Sequence, residues 1–208
     1  LRLFRDETDH NVWSAILGSC HYLYRLLDAP QRPALQTFLR NLLTPIVQKL
    51  GWSPQAGEHE LISQVRGELI GALGALGDDK AIQTEARARY EQYKKDRNSV
   101  DRNIVPALVT ILAHIGGAAE YEEFKTSFQT AKTPQEETRY LFALAAFRPA
   151  DLFERTLQLT INGEVRTQNS PYLMRSILLN TEGRERAWAF LKANWEEMGR
   201  QYPDNSIV

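Results

Sequence analysis

Apolar residues recur at steps of three and four along nearly the whole chain, and nowhere do they alternate over the length that a half-buried strand needs. That period commits the chain to helices and leaves a sheet no material. In the first segment Trp13, Ile16, Cys20, Leu23 and Leu27 form one stripe, which Asp28-Ala-Pro30 ends. A second helix is expected over 33–50, closed by Gly51. A third carries Ile62, Val65, Leu69, Leu73 and Leu76 on one face and stops at Gly77. Asp78 and Asp79 are placed to cap a fourth, in which Ile82, Ala86, Tyr90 and Tyr93 align.

Further helices are expected over 100–115, 118–130, 134–147, 149–161, 169–179 and 183–202. In the last of these, Trp188, Leu191, Trp195, Met198 and Tyr202 step so regularly that a buried stripe is expected. Thr133-Pro134 and Arg148-Pro149 put proline at or near a first helical turn, with an acid following. About ten amphipathic helices joined by short loops pair antiparallel and stack, so the expected fold is all-α, an irregular α-solenoid of HEAT-like antiparallel helix pairs. No strict repeat and no low-complexity linker interrupts it, and residues 1–208 read as a single helical domain.

Charge and cysteine content narrow the function. Twenty-five basic against twenty-six acidic residues leave a net charge of −1, which gives no reason to expect nucleic acid or an anionic membrane as partner. Cys20 is the lone cysteine, so no intrachain disulfide can form, and its apolar stripe points to a buried, inert thiol. The longest apolar run, 69–77, is broken by glycines and falls far short of the ~20 residues of a membrane span. The charged opening "LRLFRDETDHN" has no signal core, and a cytoplasmic location is expected. The chain lacks an initiator methionine and ends abruptly, as expected of a piece of something longer.

Three patterns bear on chemistry. "GEHELIS" (57–63) holds three-quarters of the zinc-protease motif H-E-x-x-H, but its fifth position is Ser63. The helical spacing that brings two imidazoles to one ion therefore leaves His59 alone, and no other histidine is spaced to pair with it. The segment reads as the polar first turn of a helix, with Glu58 and Glu60 at the positive end of its dipole. "GALGALG" (71–77) reads as close helix packing rather than a phosphate loop. The acidic pairs Asp78-Asp79, Glu122-Glu123 and Glu196-Glu197 read as caps or solvated faces. "INGEVRTQNSPYLMRSI" is a polar, glycine-containing turn between helices. Its Arg166, Gln168 and Asn169 have the chemistry to bind a carboxylate or a peptide backbone beside a helix start.

From that turn onward the sequence resembles a known family. "GEVRTQNSPYLMRSILLNTEGRERAWAFLKANWEEM" is similar to the end of the C-terminal helical domain of the puromycin-sensitive and alanyl zinc aminopeptidases. The matching elements are Arg166-Thr-Gln-Asn169, Asn180-Thr-Glu-Gly183 and Ala187-Trp-Ala-Phe-Leu-Lys-Ala-Asn-Trp195. Thr181 stands where that family has proline. "DHNVWSAILGSCHYLYRLL", "LGWSPQAGEHELISQVRGELIGALGALGDDKAIQTEARARYEQY" and "TPQEETRYLFALAAFRPADLFERTL" extend the resemblance over 9–202.

The resemblance implies a division of labour. The zinc box belongs to a preceding catalytic domain that this chain lacks, so this piece is expected to hold no metal or other cofactor and to be inactive alone. The helical domain is expected to cover the active site and to help bind and size-select peptides, with an exposed apolar patch where the catalytic domain docks. By carry-over Gln168, with Arg166 beside it, is expected to line the peptide cavity, together with Arg139 and Arg148, which are expected at helix ends along the same edge. The expected partners are the parent's own catalytic domain and peptide substrates. The alternative is a free-standing helical-repeat scaffold that binds a protein partner.

Overall fold

The computed structural model describes residues 4 and 7–202. Among them every regular element is helical: α1 (His10–Leu26), α2 (Arg32–Leu50), α3 (Glu60–Gly71), a π-helical segment (Ala72–Leu76), α4 (Lys80–Lys95), α5 (Val105–Ile115), α6 (Ala118–Gln129), α7 (Pro134–Leu144), α8 (Ala150–Leu159), α9 (Ser170–Leu178), α10 (Arg184–Ala193) and α11 (Trp195–Gln201). The all-α expectation holds. None of these helices is long and apolar enough to cross a membrane. The chain divides into two compact units, 1–112 and 113–208, each with its own core.

In the first unit α1 and α2 pack on α3, and α2 and α4 pack on the π segment. Trp13, Leu39, Leu43, Leu69, Ile70, Ile104 and Leu108 form its fully buried centre. The α1 stripe is buried at Trp13, Ile16 and Cys20, and burial pushes the Cys20 thiol upward, as suits an inert core residue. Its outer end is not buried: Leu23 is 49% exposed, beside Tyr22 and Leu26. α2 ends where Gly51 takes φ 65°, a left-handed angle that favours glycine.

The "GALGALG" glycines do serve packing, but they do so on a helix that changes pitch. A Cβ on Gly71 would just touch Ala107 at 3.5 Å, and one on Gly74 would strike the Ile111 side chain at 2.6 Å. Beyond Gly71 the helix widens, and the Gly77 N–H donates to Ala72 O five residues back. The chain leaves the helix one residue later than expected. Gly77 keeps helical angles and Asp78 takes the turn at φ 51°. Buried Gln83 donates to Gly74 O and to Asp78 Oδ1, and Arg40 donates to Gly77 O. Those side chains satisfy the carbonyls that the wider turn frees.

Asp79 alone caps α4, accepting from the Ile82 N–H at 3.0 Å. Asp79→Ala is expected to lower stability by about 1 kcal/mol in urea denaturation, with Asp78→Asn smaller because Asp78 does not cap.

"GEHELIS" is a helix start. His59 is the N-cap of α3, and its Nδ1 accepts from the Leu61 N–H at 3.2 Å. Glu60 pairs with Arg102 at 2.7 Å. Glu58 does more than favour the helix dipole: its carboxylate takes both terminal nitrogens of Arg66, at 2.7 and 2.5 Å. Arg66 has no solvent exposure, and it also donates to Ser63 Oγ and to Leu50 O, the last carbonyl of α2. Ser63 in turn lies 3.4 Å from Asp101. One buried guanidinium thereby ties the end of α2, the following loop and α3 together.

In the second unit α6 packs along α7, α7 and α8 pack on α9, and α9 leads through α10 to α11. Its centre is aromatic: Tyr121 and Phe124 meet Phe147 edge-on at 5.2 and 5.7 Å, and Tyr140 meets Phe124 at 5.3 Å. The Tyr121 hydroxyl and Thr156 share a hydrogen bond of 3.0 Å, which gives the buried ring's polar end a partner.

The expected helix over 183–202 is two helices. Asn194 brings both its backbone N–H and its side-chain amide onto Phe190 O, at 3.0 and 2.8 Å, and its backbone leaves helical angles. The expected buried stripe is overturned as well: Met198 is buried, but Trp188 is 51% and Trp195 58% exposed.

Candidate functional site

The polar turn between α8 and α9, residues 160–169, is built by local constraints before any ligand is considered. Gly163 turns the chain at φ 82°. Val165 plugs into the core of the second unit. From α11 the Gln201 side chain donates to Ile161 O at 3.1 Å, and the Tyr202 hydroxyl donates to Thr160 O at 3.3 Å. Glu164 is the electrostatic anchor. It pairs with Lys125 at 2.9 Å and accepts from Asn162 and Gln129. Those bonds, Lys125 first, hold its carboxyl below the ordinary glutamate range.

Arg166 follows directly. Its Nη2 lies 3.1 Å from Glu137 of α7, whose side chain is 16% exposed, while Arg166 itself is 65% exposed. A single contact from a five-donor guanidinium leaves most of the fork facing solvent. The Arg166 carbonyl accepts from the N–H groups of Asn169 and Ser170, which starts α9 and fixes Arg166 at its entrance. Gln168 sits on the outside of this turn, exposed.

The structure therefore brings Arg166 and Gln168 together in one tight turn. The other two expected residues occupy different elements. Arg139 lies inside α7, half-buried, rather than at a helix end. It is two residues from Glu137, a spacing that points to a different helix face. Arg148 lies in the loop between α7 and α8, 3.7 Å from Glu182 in the loop after α9. Arg148 and Arg166 thus stand at opposite ends of α9, whose nine residues span about 14 Å. Glu137, which orients Arg166, lies 29 residues upstream of it and carries no local sequence signal.

No group of three or more His, Cys, Asp or Glu that could hold a metal occurs among the described residues. The one partial zinc motif is consumed by capping and ion pairing, as above. These residues do not fit a zinc site.

The chain is similar to known aminopeptidases over almost its whole length. Aminopeptidase M1-B of Oryza sativa subsp. japonica is 30% identical to it, over 100% of this chain and 24% of that protein. Aminopeptidase M1 of Arabidopsis thaliana is 27% identical over 99% of the chain. The alanine/arginine aminopeptidase of Saccharomyces cerevisiae is 26% identical, again over 99% of the chain. The chain spans about a quarter of the length of these curated relatives, 24% in each case. The profile of one domain family, described as the ERAP1-like C-terminal domain, matches residues 1–208, and the chain belongs to that family.

Proposed function

We propose that this chain is the C-terminal helical domain of a zinc-dependent aminopeptidase, and that it covers the active site of a catalytic domain supplied by the rest of the polypeptide. The observation that carries the reading is the full-length family match, joined to relatives that are aminopeptidases about four times as long. The zinc belongs to that other domain, and this piece is not catalytic alone. Exposed apolar side chains in each unit support faces that receive a neighbouring domain: Tyr22, Leu23 and Leu26 on α1 in the first unit, and Trp188 and Trp195 on α10 and α11 in the second.

Within this reading Arg166 and Gln168 contact the far end of the peptide. Glu137 holds one edge of the Arg166 guanidinium, and its free donors meet a peptide carbonyl or carboxylate in fork geometry. Contacts remote from the scissile bond select substrates by length, because only a peptide long enough to reach them gains from them.

In the full-length parent enzyme, Arg166→Ala is expected to raise KM for a peptide of about ten residues by roughly tenfold, as loss of one hydrogen bond to a charged group costs about 1.5–3 kcal/mol. An aminoacyl reporter too short to reach this turn is expected to be cleaved unchanged. An equal effect on both substrates would remove Arg166 from peptide binding. Cleavage of the reporter by the purified 208-residue chain would remove the larger reading.

A further inference from the structure

The first unit carries an open groove of about 590 Å³, within the size range of small-ligand sites. Its floor is the small-residue face of α3, Gly67 and Gly71 running into Ala72 and Ala75. One wall is α1, which contributes His10, Ser14, Gly18 and His21, residues that share a face of that helix. The other is the entrance and first turns of α5, where Asn103 and Thr110 face the space.

Charge along the groove is asymmetric. Glu68 is the single Asp, Glu, Lys or Arg in its lining. Its carboxylate accepts from His10 Nε2 at 2.8 Å and from Ser14 Oγ at 3.1 Å, while 37% of its side chain stays exposed. A carboxylate offers about four acceptor positions, so roughly two remain for a ligand. Toward the other end, His21 lies about 10 Å beyond Ser14 along α1, and there the positive field of Arg25 reaches it. The side chains of His21, Gln64 and Thr110 make no hydrogen bond to other described residues.

We infer that this groove is a binding site for an elongated ligand bearing an ammonium or guanidinium group, with the cation seated on Glu68. The rest of the ligand lies over the glycine floor toward His21, a span of about three extended peptide residues. Gln64 and Thr110 supply donors and acceptors to its polar backbone. Two sources carry this chemistry, a lysine- or arginine-bearing peptide segment and a free polyamine. The site stands independently of the peptidase reading.

The test is amide chemical-shift titration of the whole 208-residue chain with acetyl-Gly-Lys-Gly-Gly-amide, its Lys→Glu counterpart, and spermidine. The lysine peptide is expected to shift the amides around Ser14, Glu68 and Thr110 and to bind at least tenfold more tightly than the glutamate peptide. Glu68→Gln is expected to weaken it at least tenfold. Because Glu68 also links α1 to α3, Gly18→Leu provides a second variant. A Cβ at Gly18 meets nothing within 4 Å, so the substitution builds its side chain out from open space at the groove wall. It too is expected to cut binding at least tenfold while the thermal melt stays unchanged or rises. Spermidine binding without peptide binding supports the site and assigns it to a free polyamine. Equal, saturable binding of the two peptides, parental affinity in either variant, or no saturable shift with any probe overturns it.

Discussion

Glu58→Ala is expected to destabilise the first unit by about 3 kcal/mol, the lower end of the cost of breaking a buried ion pair by removing one partner. The reason lies with the partner left behind. Arg66 has no solvent exposure and cannot be deprotonated, so without Glu58 its charge stays in the interior with only the Ser63 hydroxyl and the Leu50 carbonyl to satisfy it. Those two bonds, and the 11% exposure of the Glu58 side chain, keep the figure at the lower end. Replacing both residues, Glu58→Gln with Arg66→Met, removes the charge along with its partner and is expected to recover much of the loss. Urea denaturation of the parent, Glu58→Gln, Arg66→Met and the double variant forms a cycle that reads the coupling. Strictly additive effects would show that the pair is not coupled.

The same pair sets an acid limit. The hydrogen bonds from Arg66, ahead of its Coulombic attraction, hold the Glu58 carboxyl below its ordinary range. A folded-state value lower than the unfolded one means that the unfolded chain binds the proton more tightly. The stabilisation is therefore complete above the ordinary glutamate range and is lost as pH falls below it, through the lowered folded value. Stability measured between neutral pH and about pH 3 is expected to fall more steeply for the parent than for Glu58→Gln. Parallel curves would remove Glu58 from the acid response.

The sequence made the helices legible because helix period and stop residues are local properties. The starts at Asp9, Asp79 and Thr133 and the stop at Gly51 all lie where side-chain or backbone chemistry within four residues dictates them. What stayed hidden depends on partners distant in sequence or absent from the chain. Trp188 and Trp195 have the spacing of a core stripe, yet period alone does not say which neighbour covers it, and among the described residues both remain largely exposed. Arg66 sits in an apolar stretch, and its burial depends on Glu58 and Leu50 O, which the loop before α3 brings to it. The candidate site divides in the same way. Arg166 and Gln168 were legible as one polar turn, because a two-residue separation in a loop fixes their proximity. Arg139 and Arg148 were grouped with them by resemblance, and the structure places Arg139 within α7 and Arg148 beside the far end of α9.

Gly67→Ala is expected to cost about 3 kcal/mol, the upper end of what overpacking a filled interior costs. A Cβ there would stand 2.2 Å from the Asn103 carbonyl oxygen, well inside contact distance. The obstacle is backbone, and that backbone is held. The Asn103 N–H donates to Asp101 Oδ1 at 2.8 Å, the Ile104 N–H donates to Asp101 O at 2.9 Å, and Ile104 is fully buried at the entrance to α5. Either α3 moves away from α5, opening the seam along Gly71 and Gly74, or the turn unwinds and loses those bonds. Gly71→Ala is the internal control, since it lies one turn along the same face and its Cβ would reach only the Ala107 side chain at 3.5 Å. There the usual gain of alanine over glycine in a helix applies, and stability is expected to hold or to rise by up to about 1 kcal/mol. The two variants each add one methyl group, at positions four residues apart, so propensity and composition cancel between them. Urea midpoints that fall together would mean that the small-residue face does not set the approach of α5; a loss confined to Gly67→Ala places the limit at the Asn103 carbonyl.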